Sequence, residues 1–498
     1  MIVLDESTPR FAVEGIAVSL ARSYSLELKT TWKNSLRGFL VSGAEENIEA
    51  MVGDPRIKFA EQNFRTRATE PRLSATQWTW WNGDEEYMWH LDRIDEVLFP
   101  GDSQHNMCTE GRTVYAYVID TGVQSDHEQF ETPTRVVMSK DFSPNRSNQM
   151  LDFTDDQTNG CTASGFVNWR MTHGTAVASV LAGTQVGAAK TQVISLKVGE
   201  CGSMEIRTGD VIDALEWVGT DGSSDPSGAS GNPFFHDPGV INHSGFVPHW
   251  DDDLGGTPTD FSAYSDAVEG LVQQVDKPFF TSADNFSTDA CLFSPNDNAR
   301  TNYRQGTVFV VGGTTMGGSE ETENTDYRSQ TWIDSTTPDI GQDSGSNSGA
   351  CVSVYAPGTA IFAARSEAYF DEFGVWYDRA TGTSFASPIV AAIAARHMEI
   401  QEDATGQTPG AQAVYQWLLD NTNATIHGVD TPAYWYCGNG DTTGPSTYRS
   451  NPPTNCPGDS WGRDQNGVWG SGFPPAYFPT VGNDSDAAMI YFDEGYCP

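Results

Sequence analysis

Apolar and polar positions follow four different rhythms along the chain. Over residues 1–68, strand-like runs at 1–4, 24–30, 37–41 and 57–61 are interleaved with helical spacing at 11–22 and 44–52. Strand–helix–strand–strand–helix–strand in so short a stretch predicts a small α+β unit of the ferredoxin-like kind. Residues 69–84 lose this periodicity, carry Pro71 and the cluster Trp78, Trp80 and Trp81, and read as a linker. From 85 to 430, continuous apolar runs at 114–119, 193–198, 240–242, 279–282, 308–311 and 352–355 alternate with helical patterns at 175–182, 211–218, 263–275 and 384–400. Strands without a polar face need cover on both sides, which predicts a three-layer α/β fold around a mostly parallel sheet. Two polar stretches, 219–239 and 317–349, read as surface insertions. Residues 431–498 hold nine Pro, many Gly and Tyr and three Cys, and predict a loop-rich extension.

Charge narrows the range of partners. Asp and Glu number 67 against 28 Lys and Arg, a net of −39. Such a field repels phosphate backbones and anionic lipid, so neither nucleic acid nor a membrane surface is an expected partner. No apolar run approaches the roughly 18 residues of a membrane-spanning helix. The 14 Trp, 25 Phe and 17 Tyr argue against disorder. Residues 1–68 hold nine acids and nine bases, so the whole excess lies after them. It suits an acidic secreted protein or one adapted to high salt, and a monomer is expected.

The eight Cys (108, 161, 201, 291, 351, 437, 456 and 497) contain no C-x-x-C pair. That disfavours zinc ribbons and thioredoxin-like chemistry, and leaves disulfides in an oxidising compartment or buried thiols. Residues 1–22 carry Asp5, Glu6, Arg10 and Glu14 with no apolar core, so they do not read as a signal peptide. A secreted or periplasmic product is expected to take its signal from outside this sequence.

Three segments carry chemistry. The apolar run 114–119 ends in Asp120-Thr-Gly122, which puts a carboxylate at the ligand-facing end of a parallel strand. His173-Gly-Thr opens a helix of small residues, where an imidazole can serve as a general base or as a structural residue. Gly-Thr-Ser384-Phe-Ala-Ser-Pro388 opens an apolar helix. Ser384 there either caps the helix or meets the positive dipole end as an activated hydroxyl, with Pro388 expected in the first turn.

Together these segments resemble, in the order Asp, His, Ser, the active-site signatures of the subtilisin-like serine proteases. Further resemblances are Val-Ile-Asn242-His-Ser244 to the substrate-cleft strand and Thr-Ser-Ala-Asp-Asn285 to the oxyanion segment. Tyr355-Ala-Pro-Gly358 is similar to the segment before the nucleophile, and Trp89-His-Leu-Asp-Arg-Ile94 to the start of the mature enzyme. Residues 1–68 resemble an inhibitory propeptide. The resemblance implies Asp120, His173 and Ser384 as the catalytic triad, Asn285 as oxyanion donor, and Ser244, Gly245 and Phe246 as substrate-binding residues. It also implies a secreted endopeptidase acting on proteins or peptides, made as a self-processing zymogen whose propeptide inhibits it within the chain.

No catalytic cofactor is implied. Structural calcium is, with Asp155–Asp156, Asp251–Asp253 and Glu320–Glu321 as acidic clusters and no defined ligand set. The family's Gly before the oxyanion Asn is here Asp284, which tolerates φ > 0 less readily if the Gly serves that purpose, and Ser244-Gly-Phe246 replaces the family's Ser-Leu-Gly, so that either one residue is missing or Phe246 occupies a rim that is usually bare. A narrow processing protease and a non-catalytic binding homologue are the alternative readings.

Overall fold

The structure of the protein, a computed structural model, describes residues 1–67, 88–95, 105, 107, 109–131, 134–143, 172–199, 205–245, 247–248, 262–299, 306–316, 326–328, 345–366, 375–423 and 489–490. The Trp-rich linker, Phe246, the three acidic clusters and nearly all of the extension lie outside these residues.

The first unit is built as its rhythm predicts. Strands β1 (Ile2–Leu4), β2 (Glu27–Trp32), β3 (Gly38–Ser42) and β4 (Ile57–Ala60) form an antiparallel sheet in the order β2-β3-β1-β4. Helix α1 (Val13–Ser23) buries Val13, Ala17, Leu20 and Ala21, which share one helical face. They close over Ile2, Leu4, Phe39 and Met51; the second helix, α2 (Glu45–Val52), supplies the last of these. A short strand β5 (Arg65–Arg67) then leaves this unit.

The second unit begins with helix α3 (Trp89–Asp95). Its parallel strands are β6 (Tyr115–Asp120), β7 (Val136–Asp141), β8 (Gln192–Lys197), β10 (Gly239–His243), β12 (Phe279–Ser282), β14 (Phe309–Met316) and β16 (Val354–Pro357). They lie side by side as β16-β14-β12-β10-β6-β8-β7. Successive residues of a strand point to opposite faces. The unbroken burial of Ala116–Asp120 and Val193–Lys197 therefore shows cover on both sides. Among the remaining strands, β9 (Glu205–Arg207) pairs with β5, β11 (Val247–Pro248) pairs with β13 (Phe293–Ser294), and β15 (Asp326–Arg328) pairs antiparallel with β14. Residues 489–490 of the extension add to the edge, pairing with β16 at Tyr355.

Helices α4 (His173–Ala182) and α7 (Thr383–Thr405) are the core helices; every residue of α4, and of α7 as far as Ile400, is buried. Their Ala-rich sequences permit this close approach. Helices α5 (Thr208–Val218) and α6 (Ala263–Val275) carry the first unit. Stretch 219–239 is a surface loop, anchored by buried Asn232, whose Nδ2 donates to Tyr117 Oη and to the Val218 carbonyl. Of the eight Cys, Cys291 and Cys351 are joined in a disulfide.

Burial leaves a pH signature. Desolvation holds His90, His243 and His397 each down at about 4. The folded state thus binds fewer protons than the unfolded state between about pH 4 and 6.5, so stability falls as pH drops through that window. Buried Asp284, whose carboxyl is pushed well above the usual range by desolvation, acts in the opposite sense. Thermal unfolding of Ser384→Ala, chosen to avoid self-digestion, is expected to shift downward steadily from pH 6.5 to 4. A flat profile would remove the account of neutral buried histidines.

Candidate active site

Three strand ends and two helix starts meet at one place. Asp120 is the last residue of β6, and His173 the first of α4. His173 Nδ1 lies 2.9 and 3.0 Å from the two Asp120 carboxylate oxygens. A carboxylate only accepts, so Nδ1 carries the proton and Nε2 presents its lone pair. Both side chains are buried, which strengthens the contact.

The residues after each member explain the motif spelling. Thr121 N–H donates to Asp120 Oδ1 at 2.7 Å, while Thr121 Oγ1 accepts from Gly174 N–H at 2.8 Å. Thr175 Oγ1 accepts from Gln124 N–H at 3.0 Å. A Cβ at position 174 would stand 2.1 Å from the Gly122 carbonyl oxygen, so only glycine allows the two turns to interlock. Asp-Thr-Gly and His-Gly-Thr are thus two halves of one joint that sets the carboxylate–imidazole distance.

Ser384 is the second residue of α7, 3% exposed, behind the N-cap Gly382 at φ 138°. Its Oγ donates no hydrogen bond to His173 in this structure; such contacts tighten when substrate arrives. The adjacent Phe385 ring packs against the His173 ring with centroids 5.6 Å apart. Pro388 is the sixth residue of α7, in the second turn rather than the first as the sequence suggested. Having no N–H, it cannot bond the carbonyl four residues back, which belongs to Ser384. Ser244 Oγ takes that place, donating to the Ser384 carbonyl at 2.8 Å. Asn242 Nδ2 donates to Ser244 Oγ at 3.0 Å, and Ser387 Oγ donates to Asn242 Oδ1 at 2.7 Å. The proline gap therefore ties the end of β10 to the backbone of Ser384, a role for Ser244 that the sequence did not reveal. Ser244→Ala is expected to lower kcat about tenfold through misplacement of Ser384, with roughly 1 kcal/mol lost from stability. Unchanged kcat would show the tie to be dispensable.

Asn285 follows β12. Its Oδ1 accepts from Thr383 N–H at 3.0 Å and from Thr383 Oγ1 at 2.9 Å. With the oxygen doubly held by the residue before Ser384, the amide is fixed in orientation and Nδ2 is its donor. The segment is braced from 345–348: Asn347 Oδ1 accepts from Phe286 and Thr288 N–H, and Asn347 N–H donates to the Asp284 carbonyl. Asp284 occupies the left-handed region at φ 76°, as expected for a position that favours glycine. Its carboxyl is 2% exposed and lies beside Ser282 Oγ and the Asn296 side chain. Gly245 is half-buried after Ser244. Among the described residues no cluster of three or more His, Cys, Asp or Glu could hold a metal ion.

The structure thus joins Asp120 to His173 and Asn285 to the start of the Ser384 helix: a base with an oriented lone pair, a hydroxyl at a helix N-terminus and an amide fixed in orientation. The Subtilase family model matches residues 111–440. The chain is 29% identical over 381 residues to alkaline serine exoprotease A of Vibrio alginolyticus, covering 76% of this chain and 54% of that protein. It therefore spans about half the length of that relative. It is 27% identical over 416 residues to the extracellular serine proteinase of Thermus sp. (strain Rt41A), covering 81% and 77% of the two chains. Among solved structures, a cold adapted subtilisin-like serine proteinase is similar at 27% identity and a TM-score of 0.47, over 68% of this chain and 93% of that one.

Proposed function

Because the chain belongs to the subtilase family of peptidases, we propose that it is a secreted serine endopeptidase made as a self-processing zymogen. Asp120, His173 and Ser384 form the triad. His173 Nε2 takes the proton of Ser384 as Oγ attacks a peptide carbonyl, and Asp120 holds the tautomer and stabilises the imidazolium. Asn285 Nδ2 and the Ser384 backbone N–H receive the oxyanion. His173 then protonates the leaving amine, and water, activated by the same nitrogen, hydrolyses the acyl-enzyme. The observation that carries this reading is the two-point contact of His173 Nδ1 with Asp120 beside a serine at a helix N-terminus. No step needs a metal. Structural calcium, implied by the family resemblance, finds no ligand set among the described residues.

Residues 1–68 are the propeptide, 69–84 the linker in which the chain is cut, 85–430 the catalytic domain and 431–498 an extension. The docking supports this division. The Glu216 carboxylate on α5 accepts hydrogen bonds from the backbone N–H groups of Lys33, Asn34 and Ser35. Asp213 accepts from Trp32 Nε1 at 2.7 Å. A Cβ at Gly270 on α6 would stand 2.1 Å from the Ser35 carbonyl oxygen, so that helix is shaped for the contact. Beyond it, β5 adds antiparallel to β9, with Arg65 opposite Arg207, as an extended substrate adds to a cleft edge. Protein and peptide substrates would bind the same edge together with the backbone at Ser244 and Gly245. N-terminal sequencing of the product is expected to find a new start within 67–84, and Ser384→Ala is expected to stay uncut. An intact, active wild-type chain would contradict self-processing.

A further inference from the structure

We propose that Asp284 makes this peptidase select a basic residue, Lys or Arg, on the acyl side of the bond it cuts. The inference rests on the peptidase reading above and names the substrate class of the same site.

Strands β10 and β12 run parallel, with His243 opposite Thr281, and then part. On one side the chain continues through Ser244 and Gly245, and on the other through Asp284 and Asn285. Farther out, β11 and β13 join, with Val247 opposite Ser294, and close the far end of the gap. Ser384 faces its mouth, because Ser244 is bonded to the Ser384 carbonyl and Asn285 to Thr383. Crevices of this kind, beyond the carboxyl ends of adjacent parallel strands, are where α/β sheets take ligands. The side chain next to the attacked carbonyl has this gap as its nearest opening.

Asp284 stands where the β12 side of the gap begins. Its carboxyl lies beside Asn296, just past β13, and it acts electrostatically on Tyr264, which is hydrogen-bonded to His243 at the end of β10. The carboxyl is nearly fully buried, and Oδ1 has a single long contact of 3.4 Å to Ser282 Oγ. Oδ2 has no hydrogen-bond partner, and neither do Oδ1 and Nδ2 of Asn296, which sits close to the carboxyl without bonding geometry. Among the described residues, no Lys or Arg forms an ion pair with Asp284. Burying a carboxylate uncompensated is costly, and burial alone pushes this carboxyl well above its ordinary range. The site lacks a cation with several N–H donors, which a Lys ammonium or an Arg guanidinium supplies. The rest of the chain agrees. The strand of the first unit that pairs with β9 reads Arg65-Thr-Arg67, and the acidic excess lies entirely after residue 68.

The test uses protein recovered from expression of the full chain and fluorogenic tetrapeptide amides that differ only in the residue before the scissile bond: Lys, Arg, Gln, Phe, Leu or Glu. Wild type is expected to show kcat/KM for Lys or Arg roughly 30-fold or more above Phe and Leu. Asp284→Gly, which suits the positive φ, and Asp284→Asn, which keeps the shape without the charge, are each expected to remove that preference. Thermal unfolding identifies the folded variants, and the wild-type ratio stands even if neither folds. A wild-type preference for Phe, Leu or Gln, or a Lys-to-Phe ratio unchanged in a folded variant, overturns the inference. So does an enzyme that reacts with a fluorophosphonate at Ser384 yet cuts no basic peptide. Absence of both labelling and cleavage fails the peptidase reading itself, which keeps the two failures apart.

Discussion

Ser384→Ala is expected to lower kcat for peptide hydrolysis by about 10⁶-fold, the scale on which a triad fails when its nucleophile is removed. The fold should survive. Ser384 Oγ makes no hydrogen bond within the described protein, so its removal leaves no buried partner unsatisfied, and the tie from Ser244 goes to the backbone carbonyl. The stability change is expected to stay within about 1 kcal/mol. The measurement is kcat on a fluorogenic peptide beside a thermal melt of the same sample. Loss of activity with loss of fold would say nothing about the nucleophile. Retained activity in a folded variant would remove Ser384 from the chemistry.

The second large effect belongs to Asn285. In the proposed mechanism its amide meets a charge that exists only in the transition state, so Asn285→Ala is expected to lower kcat by roughly 10²–10³ with KM nearly unchanged. Thr383→Val removes the Oγ1 contact that orients the amide but leaves the Thr383 N–H contact at 3.0 Å. It is expected to cost about tenfold in kcat, with no new effect when added to Asn285→Ala. An Asn285→Ala enzyme with raised KM and unchanged kcat would place the amide in ground-state binding and refute the oxyanion role.

Much of the fold is legible in the sequence. The alternation of continuous apolar runs with helical spacing located β6, β8, β10, β12, β14 and β16 within a few residues, because strands buried on both faces have no polar positions to blur the pattern. The spelling of Asp120-Thr-Gly and His173-Gly-Thr marks two segments that the structure joins, since glycine and threonine there make contacts that tolerate little else. The spelling of the Ser384 segment misled at Pro388. Sequence spacing put it in the first turn, where a missing N–H is harmless. The helix begins at Thr383, so the proline opens a gap that Ser244 fills. That contact joins residues 140 positions apart, and no local pattern carries it. Asp284 shows the opposite limit. The sequence marked it as a departure before Asn285, but only the structure shows its carboxyl buried with Oδ2 unpartnered. Strand β7 was missed because Val137 is exposed and Met138 to Asp141 are only partly buried, so that they give no continuous apolar run.

The central claim is that Ser384 is a hydroxyl activated by His173 and Asp120. It is tested most directly by reacting the recovered protein with a fluorophosphonate and locating the adduct by peptide mass spectrometry. The expected result is a single covalent adduct on Ser384, formed in wild type, absent in Ser384→Ala and slowed at least about 10³-fold in His173→Ala. Labelling at another serine, or equal labelling of Ser384 without His173, would contradict the account.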